Sequence, residues 1–143
     1  MRLNSVTANR HIFNGEANGK PLRLLLTFDS GRVLRLQIAG DGEEMLMDNR
    51  QLDAAVDMGE YGQTDVADVT QSLFPSLSRV EVTDVKSLER HGRRVGVKLA
   101  VDGGEPFNFW VDDDELHWGD EAALVSHDWQ DGLAPKPSER LEI

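Results

Sequence analysis

Hydrophobic and polar positions alternate with a period of two in two parts of the chain, residues 21–48 and 79–111. This period places every second side chain on the same face of an extended strand, and so predicts sheets with a buried face. In the first part, short glycine-containing turns at residues 29–31 and 41–42 separate the alternating runs and suit antiparallel hairpins. We therefore predict a three-stranded antiparallel meander over residues 21–48.

The second alternating part contains one irregularity. Val80 and Val82 are in phase, but Val85 is out of phase with them, which indicates a β-bulge or a twist. Turns at residues 91–93 and 102–104 then separate two further runs. A second antiparallel meander is expected here, over residues 79–111.

The segment between the meanders carries a weaker pattern. Residues Gln51 to Val56 predict a helical turn, which the glycines that follow would end. Residues 63–70 suit either a short strand or a helix, because their two valines are three positions apart. Pro75 indicates a loop or the end of a helical turn, since proline disfavours helical geometry at the residue before it.

These patterns predict a mainly β to α+β fold, in which two antiparallel β-meanders form a bent sheet or a sandwich with one short helix. A chain of 143 residues is long enough to bury a core without disulfides or a structural metal. We expect a single globular domain over residues 1–130. Residues 131–143 contain two prolines and little apolar periodicity, so we expect a mobile or surface-draped tail there.

Composition narrows the classes of function. The formal net charge of −11 argues against binding nucleic acids or anionic membranes, because both interactions need clustered lysine and arginine. The absence of cysteine excludes disulfides and thiolate chemistry and fits a reducing compartment. No stretch has the apolar length of a signal peptide core or a membrane span, so we expect a soluble, cytoplasmic protein.

The most unusual segment is residues 102–121, DGGEPFNFWVDDDELHWGDE, with eight carboxylates and no lysine or arginine. If Phe109 faces the core, the alternation directs Trp110 outward, inside an acidic rim. An exposed aromatic residue surrounded by charge is typical of a protein-binding hot spot, and negative charge accelerates association with a basic partner. The alternative is that the sheet is covered on both faces and that Trp110 belongs to the core.

We therefore predict a non-catalytic protein-binding function with a basic protein as the partner and without a metal or another cofactor. The candidate binding residues are Trp110, Asp112, Asp113, Asp114, Glu115, His117, Trp118, Asp57, Glu60 and Tyr61. The oligomeric state does not follow from the sequence. The acidic composition also has a simpler explanation, namely that it keeps a small protein in solution.

Two other functions are compatible with the sequence. A carboxylate- or metal-dependent hydrolase would use Asp112, Asp114 and His117, because carboxylates bind hard cations and an imidazole among carboxylates can act as a general base. The acidic run lacks the spacing of an EF-hand, and no serine-hydrolase or phosphate-binding motif occurs. The third possibility is a self-associating structural protein, since meanders leave edge strands that must be covered.

Three passages carry a resemblance to known proteins: VDMGEYG (Val56 to Gly62), FWVDDDELHWGDE (Phe109 to Glu121) and FDSGRVLRL (Phe28 to Leu36). They resemble small, acidic, uncharacterised bacterial proteins of the immunity or antitoxin type, over about half of the chain. The resemblance implies a cytoplasmic protein that neutralises a toxin by covering its active surface and has no catalytic activity. The acidic charge would then suit a basic, nuclease-like target.

Overall fold

The computed structural model describes residues 1–143 and consists mainly of antiparallel β-strands in two open sheets. The first sheet contains β1 (Leu3–Phe13), β2 (Glu16–Ala17), β3 (Arg23–Phe28), β4 (Val33–Ile38), β5 (Met45–Asp48) and β6 (Gln63–Asp68). The second contains β7 (Val82–Arg90), β8 (Arg93–Val101), β9 (Phe107–Asp112), β10 (Glu115–Gly119) and β11 (Lys136–Arg140). The helices are α1 (Thr70–Leu73) and α2 (Glu121–Ser126), with short 3₁₀ turns at Gly59–Tyr61 and Pro75–Leu77. The predicted mainly β class is confirmed.

Both predicted meanders are present. In the first sheet the strand order is β2-β1-β3-β4-β5 with β6 paired to β1, so β3, β4 and β5 form the first meander. In the second sheet the order is β10-β9-β8-β7-β11, so β7, β8 and β9 form the second. The predicted bulge is confirmed as a shift of register between Val82 and Asp84, where β7 pairs with β8.

The sequence patterns missed several elements. The long strand β1 was not predicted; its register against β3 shifts between Leu3 and Ser5, which interrupts the period of two. The predicted helical turn over residues 51–56 is wrong, because the backbone of Val56 instead exchanges hydrogen bonds with Thr64. The ambiguous segment that follows it forms β6 and is therefore a strand. Two short α-helices occur where one was predicted.

The chain forms two compact units, each with its own buried residues. The first comprises residues 1–37, 47–80 and 143, and the second comprises residues 38–46 and 81–142. The division into one domain up to residue 130 and a separate tail remains a prediction. Part of that tail has a defined conformation, since the exposed strand β11 pairs with β7 at one edge of the second sheet.

Candidate functional site

Trp110 lies in the interior of the second unit. Only 2% of its surface is exposed, so the prediction that its indole faces outward is wrong. The alternation along β9 was assigned correctly, because Phe109 and Trp110 lie on opposite faces of the strand, but both faces are buried. The face that carries Trp110 packs in a core cluster with Leu88, Val95, Leu124 and Trp129. Leu124 belongs to α2 and Trp129 to the segment after it, so these elements cover the face that was expected to be open.

Two glycines allow this covered arrangement. Gly96 on β8 pairs with Trp110, and a Cβ atom at Gly96 would lie 2.2 Å from the backbone oxygen of Phe109. At the end of β10, a Cβ atom at Gly119 would lie 2.6 Å from the Cβ atom of Ala123 on α2. Both distances are shorter than real carbon contacts, so larger residues would push strand or helix away. Glycine at these two positions, on the strands next to β9, therefore leaves room for the large indole of Trp110.

Two histidines and two tryptophans pack together on this face. We call Trp110, His117, His127 and Trp129 the imidazole cluster. His117 is the cross-strand partner of Trp110, and their rings are stacked with centroids 5.9 Å apart. The His127 ring has its centroid 4.6 Å from that of His117 and 4.6 Å from that of Trp129. The cluster thus joins β9 and β10 to the segment that follows α2.

Asp112 contacts both imidazoles. Its Oδ2 atom lies 2.8 Å from Nε2 of His127, and its backbone oxygen lies 3.2 Å from Nε2 of His117. His127 was not among the predicted site residues, because fifteen positions separate it from Asp112 and no sequence spacing indicates the contact. The indole N–H of Trp129 donates to the backbone oxygen of Leu124 at 2.9 Å, whereas the buried N–H of Trp110 has no acceptor.

A cleft of about 470 Å³ lies beside the cluster. Its apolar lining is Val95, Val111 and Trp129, and its polar lining is Glu43, Arg90, His91, Arg93, Asp112, Gln130 and Asp131. The guanidinium carbon of Arg90 lies 5.1 Å from the centroid of the Trp129 ring. The cleft therefore has an aromatic wall and charged groups of both signs.

Asp131 forms a second histidine–aspartate pair at the rim of this cleft. Its carboxylate accepts hydrogen bonds from the backbone N–H of Leu133 and from Arg90, and it pairs with His91. The N–H of Leu133, the Arg90 guanidinium and His91 together lower the pKa of Asp131 to about 2. Asp131 is therefore ionised over the whole physiological pH range.

Two turns of the second unit bring acidic residues together. Asp113 and Asp114 form the tight turn between β9 and β10 with positive φ angles of 52° and 60°. The backbone N–H of Asp114 donates to the oxygen of Gly42 in the β4–β5 turn at 2.9 Å. We call the resulting group of side chains the acidic surface; it consists of Asp41, Glu43, Glu44, Asp113, Asp114 and Glu115. Arg93 lies 3.1 Å from Glu43, 3.3 Å from Asp41 and 3.4 Å from Glu44.

The predicted binding residues therefore fall into four groups. Asp113, Asp114 and Glu115 are exposed on the acidic surface, whereas Asp112, His117 and Trp118 are only partly exposed. Trp110 is buried. The remaining three, Asp57, Glu60 and Tyr61, lie in the first unit, on an exposed loop in which Tyr61 is 69% exposed.

Sequence reasoning missed half of the acidic surface. Asp41, Glu43 and Glu44 are far from the β9–β10 turn in the sequence, and only the contact between Gly42 and Asp114 shows that the two turns are neighbours. The residues proposed for a hydrolase are also divided. Asp112 and His117 are in contact through the backbone oxygen of Asp112, while Asp114 belongs to the turn.

The chain contains no group of three or more histidine, aspartate or glutamate side chains arranged to hold a metal ion. None of its helices has the length and apolar character needed to cross a membrane. The chain matches no protein-family model, no curated protein and no solved structure. The resemblance to immunity or antitoxin proteins therefore gains no support from known relatives.

Proposed function

We propose that the protein is a non-catalytic protein-binding module that presents its acidic surface to a basic protein. The observation that supports this best is the hydrogen bond between Asp114 and Gly42, because it places carboxylates from two distant turns side by side. Arg93 pairs with three of these carboxylates, those of Asp41, Glu43 and Glu44. The group therefore keeps an excess of negative charge.

The electrostatic properties of these side chains favour recognition over a structural role. Asp113 and Glu115 are exposed and belong to no core. The backbone N–H of Glu43, together with the Arg93 guanidinium, lowers the pKa of Asp41 and keeps that carboxylate charged. A surface of one sign raises the rate at which a partner of the opposite sign associates, and salt screens this effect.

The finer form of the proposal is an immunity-type function, in which the partner is a basic toxin whose active surface is covered. The sequence resemblance and the net charge of −11 support it. In this form the protein needs no catalytic residue, because blocking access to a site is sufficient. The exposed loop that carries Asp57, Glu60 and Tyr61 would be an additional contact region.

Reversal of charge on the acidic surface tests the proposal. Wild-type protein and the D113K/E115K variant would be used to capture partners from a lysate of the source cells, with mass spectrometry to identify them. The matched control is D102K/E105K, which makes the same change of charge at the exposed β8–β9 turn, at the opposite end of β9.

We expect the wild type and the control to retain the same basic protein and the D113K/E115K variant to lose it. With the purified pair, association should slow most at low salt and little at high salt. If D113K/E115K captures the same partner with the same association rate as the control, the acidic surface is not the binding site.

A hydrolase is the second candidate function, and the contact between Asp112 and His127 favours it. A carboxylate that orients an imidazole beside a cleft is an arrangement that general bases use. The catalytic residues would then be Asp112 and His127, with His117 next to them, and Asp114 would have no part. Chromogenic ester, phosphate and glycoside substrates test this candidate. Any activity found should disappear in H127A and persist in H91A, and activity that survives in H127A would exclude it.

A further inference from the structure

The first unit has an open backbone edge beside β6. Residues 54–58, which we call the edge segment, run along β6 and form a bridge between Asp57 and Gln63. Two backbone hydrogen bonds of 2.8 Å flank this bridge, and they join Met58 to Gly62 and Thr64 to Val56. In an antiparallel pairing of this kind, the residue between the bonded positions directs its N–H and C=O groups to the other side. The backbone of Asp57 therefore points away from β6.

No other part of the chain uses this outer edge. All five residues of the edge segment are exposed, and the backbone groups of Ala55 and Asp57 make no hydrogen bond within the chain. The segment contains no proline or lysine, the residues with which natural sheets commonly protect an edge. An open edge is a template on which an extended peptide can pair as an added strand.

The turn that follows the edge segment is fixed to β1. Gly62 has a φ angle of 91°, and a Cβ atom there would lie 2.2 Å from the backbone oxygen of Ile12. The backbone oxygen of Tyr61 lies 2.6 Å from Nε2 of His11 on the same strand. The edge is therefore ordered before a partner arrives, which reduces the entropic cost of binding.

One face of this edge carries exposed apolar side chains. Val56 and Met58 are two positions apart and lie on the same side of the edge segment. The bridge places Val56 opposite Thr64, which is two positions before Val66 on β6. We call Val56, Met58 and Val66 the apolar patch; these side chains are 53%, 37% and 48% exposed. Exposed apolar side chains that are neighbours in this way are typical of interaction sites.

The other face of the edge is negatively charged. Asp57 lies on the side opposite to the apolar patch, and the turn that follows adds Glu60. Neither carboxylate has a basic partner, whereas Asp65 on β6 is neutralised by Arg10 at 2.8 Å. A strand that complements this edge therefore has apolar residues on one face and basic residues at the positions between them.

We propose that the edge segment binds an extended segment of another protein, in which basic and apolar residues alternate, as an added antiparallel strand. The outward backbone groups supply the hydrogen bonds, the apolar patch contacts the apolar residues, and Asp57 attracts the basic ones. A second copy of the chain is a poor occupant, because each copy carries a net charge of −11 and the same carboxylates. The inference does not rest on the acidic surface, which belongs to the second unit.

Synthetic peptides of about six residues, the usual length of a strand, test the binding mode by fluorescence anisotropy. The first peptide alternates lysine and valine, and the second contains the same residues in two blocks. At about 0.15 M salt we expect the alternating peptide to bind at least about tenfold more tightly than the block peptide. Equal affinities, or no binding by the alternating peptide, would overturn the proposal.

N-methylation of the alternating peptide tests the backbone pairing. Lysines that share the face of Asp57 direct their N–H groups to the edge, whereas the valine N–H groups point outward. Methyl groups on the lysine nitrogens should therefore abolish binding, and methyl groups on the valine nitrogens should be tolerated. Equal binding by the two methylated peptides would contradict an added strand.

Variants of the protein locate the contact. V56S and D57K should each weaken binding of the alternating peptide by at least about fivefold. The matched controls are V125S, since Val125 is 66% exposed on α2, and D102K at the β8–β9 turn. Both controls and D113K/E115K should bind like the wild type. If D113K/E115K loses the peptide and V56S keeps it, the peptide binds the acidic surface and the edge segment is not the site.

Amide hydrogen exchange of the wild type gives the same information without a substitution. The N–H groups of Ala55 and Asp57 should exchange more slowly when the alternating peptide is bound, whereas the N–H of Met58, already bonded to Gly62, should change little. Unchanged exchange at Ala55 and Asp57 under saturating peptide would overturn the proposal, even if V56S disturbs local structure.

Discussion

The two histidine–aspartate pairs of the second unit have the same chemistry in different surroundings. His127 and Asp112 have side chains 17% and 33% exposed, whereas His91 and Asp131 are 56% and 37% exposed. The segment after α2 supplies the histidine of the first pair and the aspartate of the second. Both pairs therefore fasten this segment to the second sheet. The inner pair, His127 and Asp112, lies at the imidazole cluster, and the outer pair, His91 and Asp131, lies at the rim of the cleft.

The surroundings decide what each pair contributes. A pair in water contributes little, because solvent competes for both partners and salt screens their charges. A pair that is largely removed from water leaves an unsatisfied group behind when one partner is lost. We therefore expect the inner pair to matter more for stability, although both have a histidine facing one carboxylate.

Loss of Trp129 should have the largest effect, because this indole contacts His127 of the inner pair and also Arg90, which is bonded to Asp131 of the outer pair. Its ring packs against His127 and under Arg90, and it is 4% exposed. The substitution Trp129→Ala should reduce the free energy of unfolding by about 3–5 kcal/mol. Trp129→Phe keeps an aromatic ring but loses the hydrogen bond to Leu124, and that bond is worth about 1 kcal/mol. Urea denaturation followed by circular dichroism measures both variants, and equal losses would show that packing of the ring is unimportant.

Breaking the inner pair should have the next largest effect. The substitution Asp112→Ala removes the partner of a largely buried imidazole and should cost about 1–3 kcal/mol of unfolding free energy. The matched change in the outer pair is His91→Ala. Urea denaturation of the two variants under one set of conditions gives the comparison, and a greater loss for His91→Ala would reverse the order inferred from burial.

Acid should weaken the outer pair in a defined range of pH. Because the folded structure lowers the pKa of Asp131 from 3.8 to about 2, this group stabilises the fold above its unfolded pKa. That contribution is lost as the pH falls from about 4 to about 2. The difference in urea midpoint between wild type and D131N should therefore shrink between about pH 5 and about pH 2.5. A difference that stays constant over this range would show that folding does not lower the pKa of Asp131.

Salt should reveal the smallest effect. His91→Ala should cost about 0–0.5 kcal/mol at low salt, because the ring of His91 is mostly exposed. Sodium chloride at about 0.5 M should remove even this difference, while the effect of Asp112→Ala should remain, since burial reduces screening. Thermal melts at two salt concentrations are sufficient for the measurement.

The sequence contains enough information for the two meanders but not for what covers them. The period of two identified β3, β4, β8 and β9 because each of these strands has regularly spaced apolar residues. The same pattern assigned Phe109 and Trp110 to opposite faces, which is correct. It cannot show whether α2 and the residues after it fold back over one of those faces. The wrong expectation for Trp110 therefore arose from a tertiary contact and not from the strand assignment.

The candidate site was predictable only where its residues are close in sequence. Asp113, Asp114 and Glu115 were predicted as site residues because they form a run of acidic residues, and they are exposed in the structure. His127 and Asp131 lie in the irregular segment after α2, which carries no motif. Asp41 and Glu43 belong to a turn whose neighbour in space is far away along the chain. Contacts of this kind depend on the packing of the whole unit, and the spacing of residues along the chain does not predict that packing.

The close approach at Gly96 limits how this sequence can vary. A side chain there would collide with the backbone of Phe109, and a backbone atom cannot rotate out of the way as the end of a flexible side chain can. In a library that samples all amino acids at residues 96 and 119, position 96 should return only glycine among folded clones. Position 119, whose obstacle is the methyl group of Ala123, should accept a larger residue when Ala123 is simultaneously replaced by glycine.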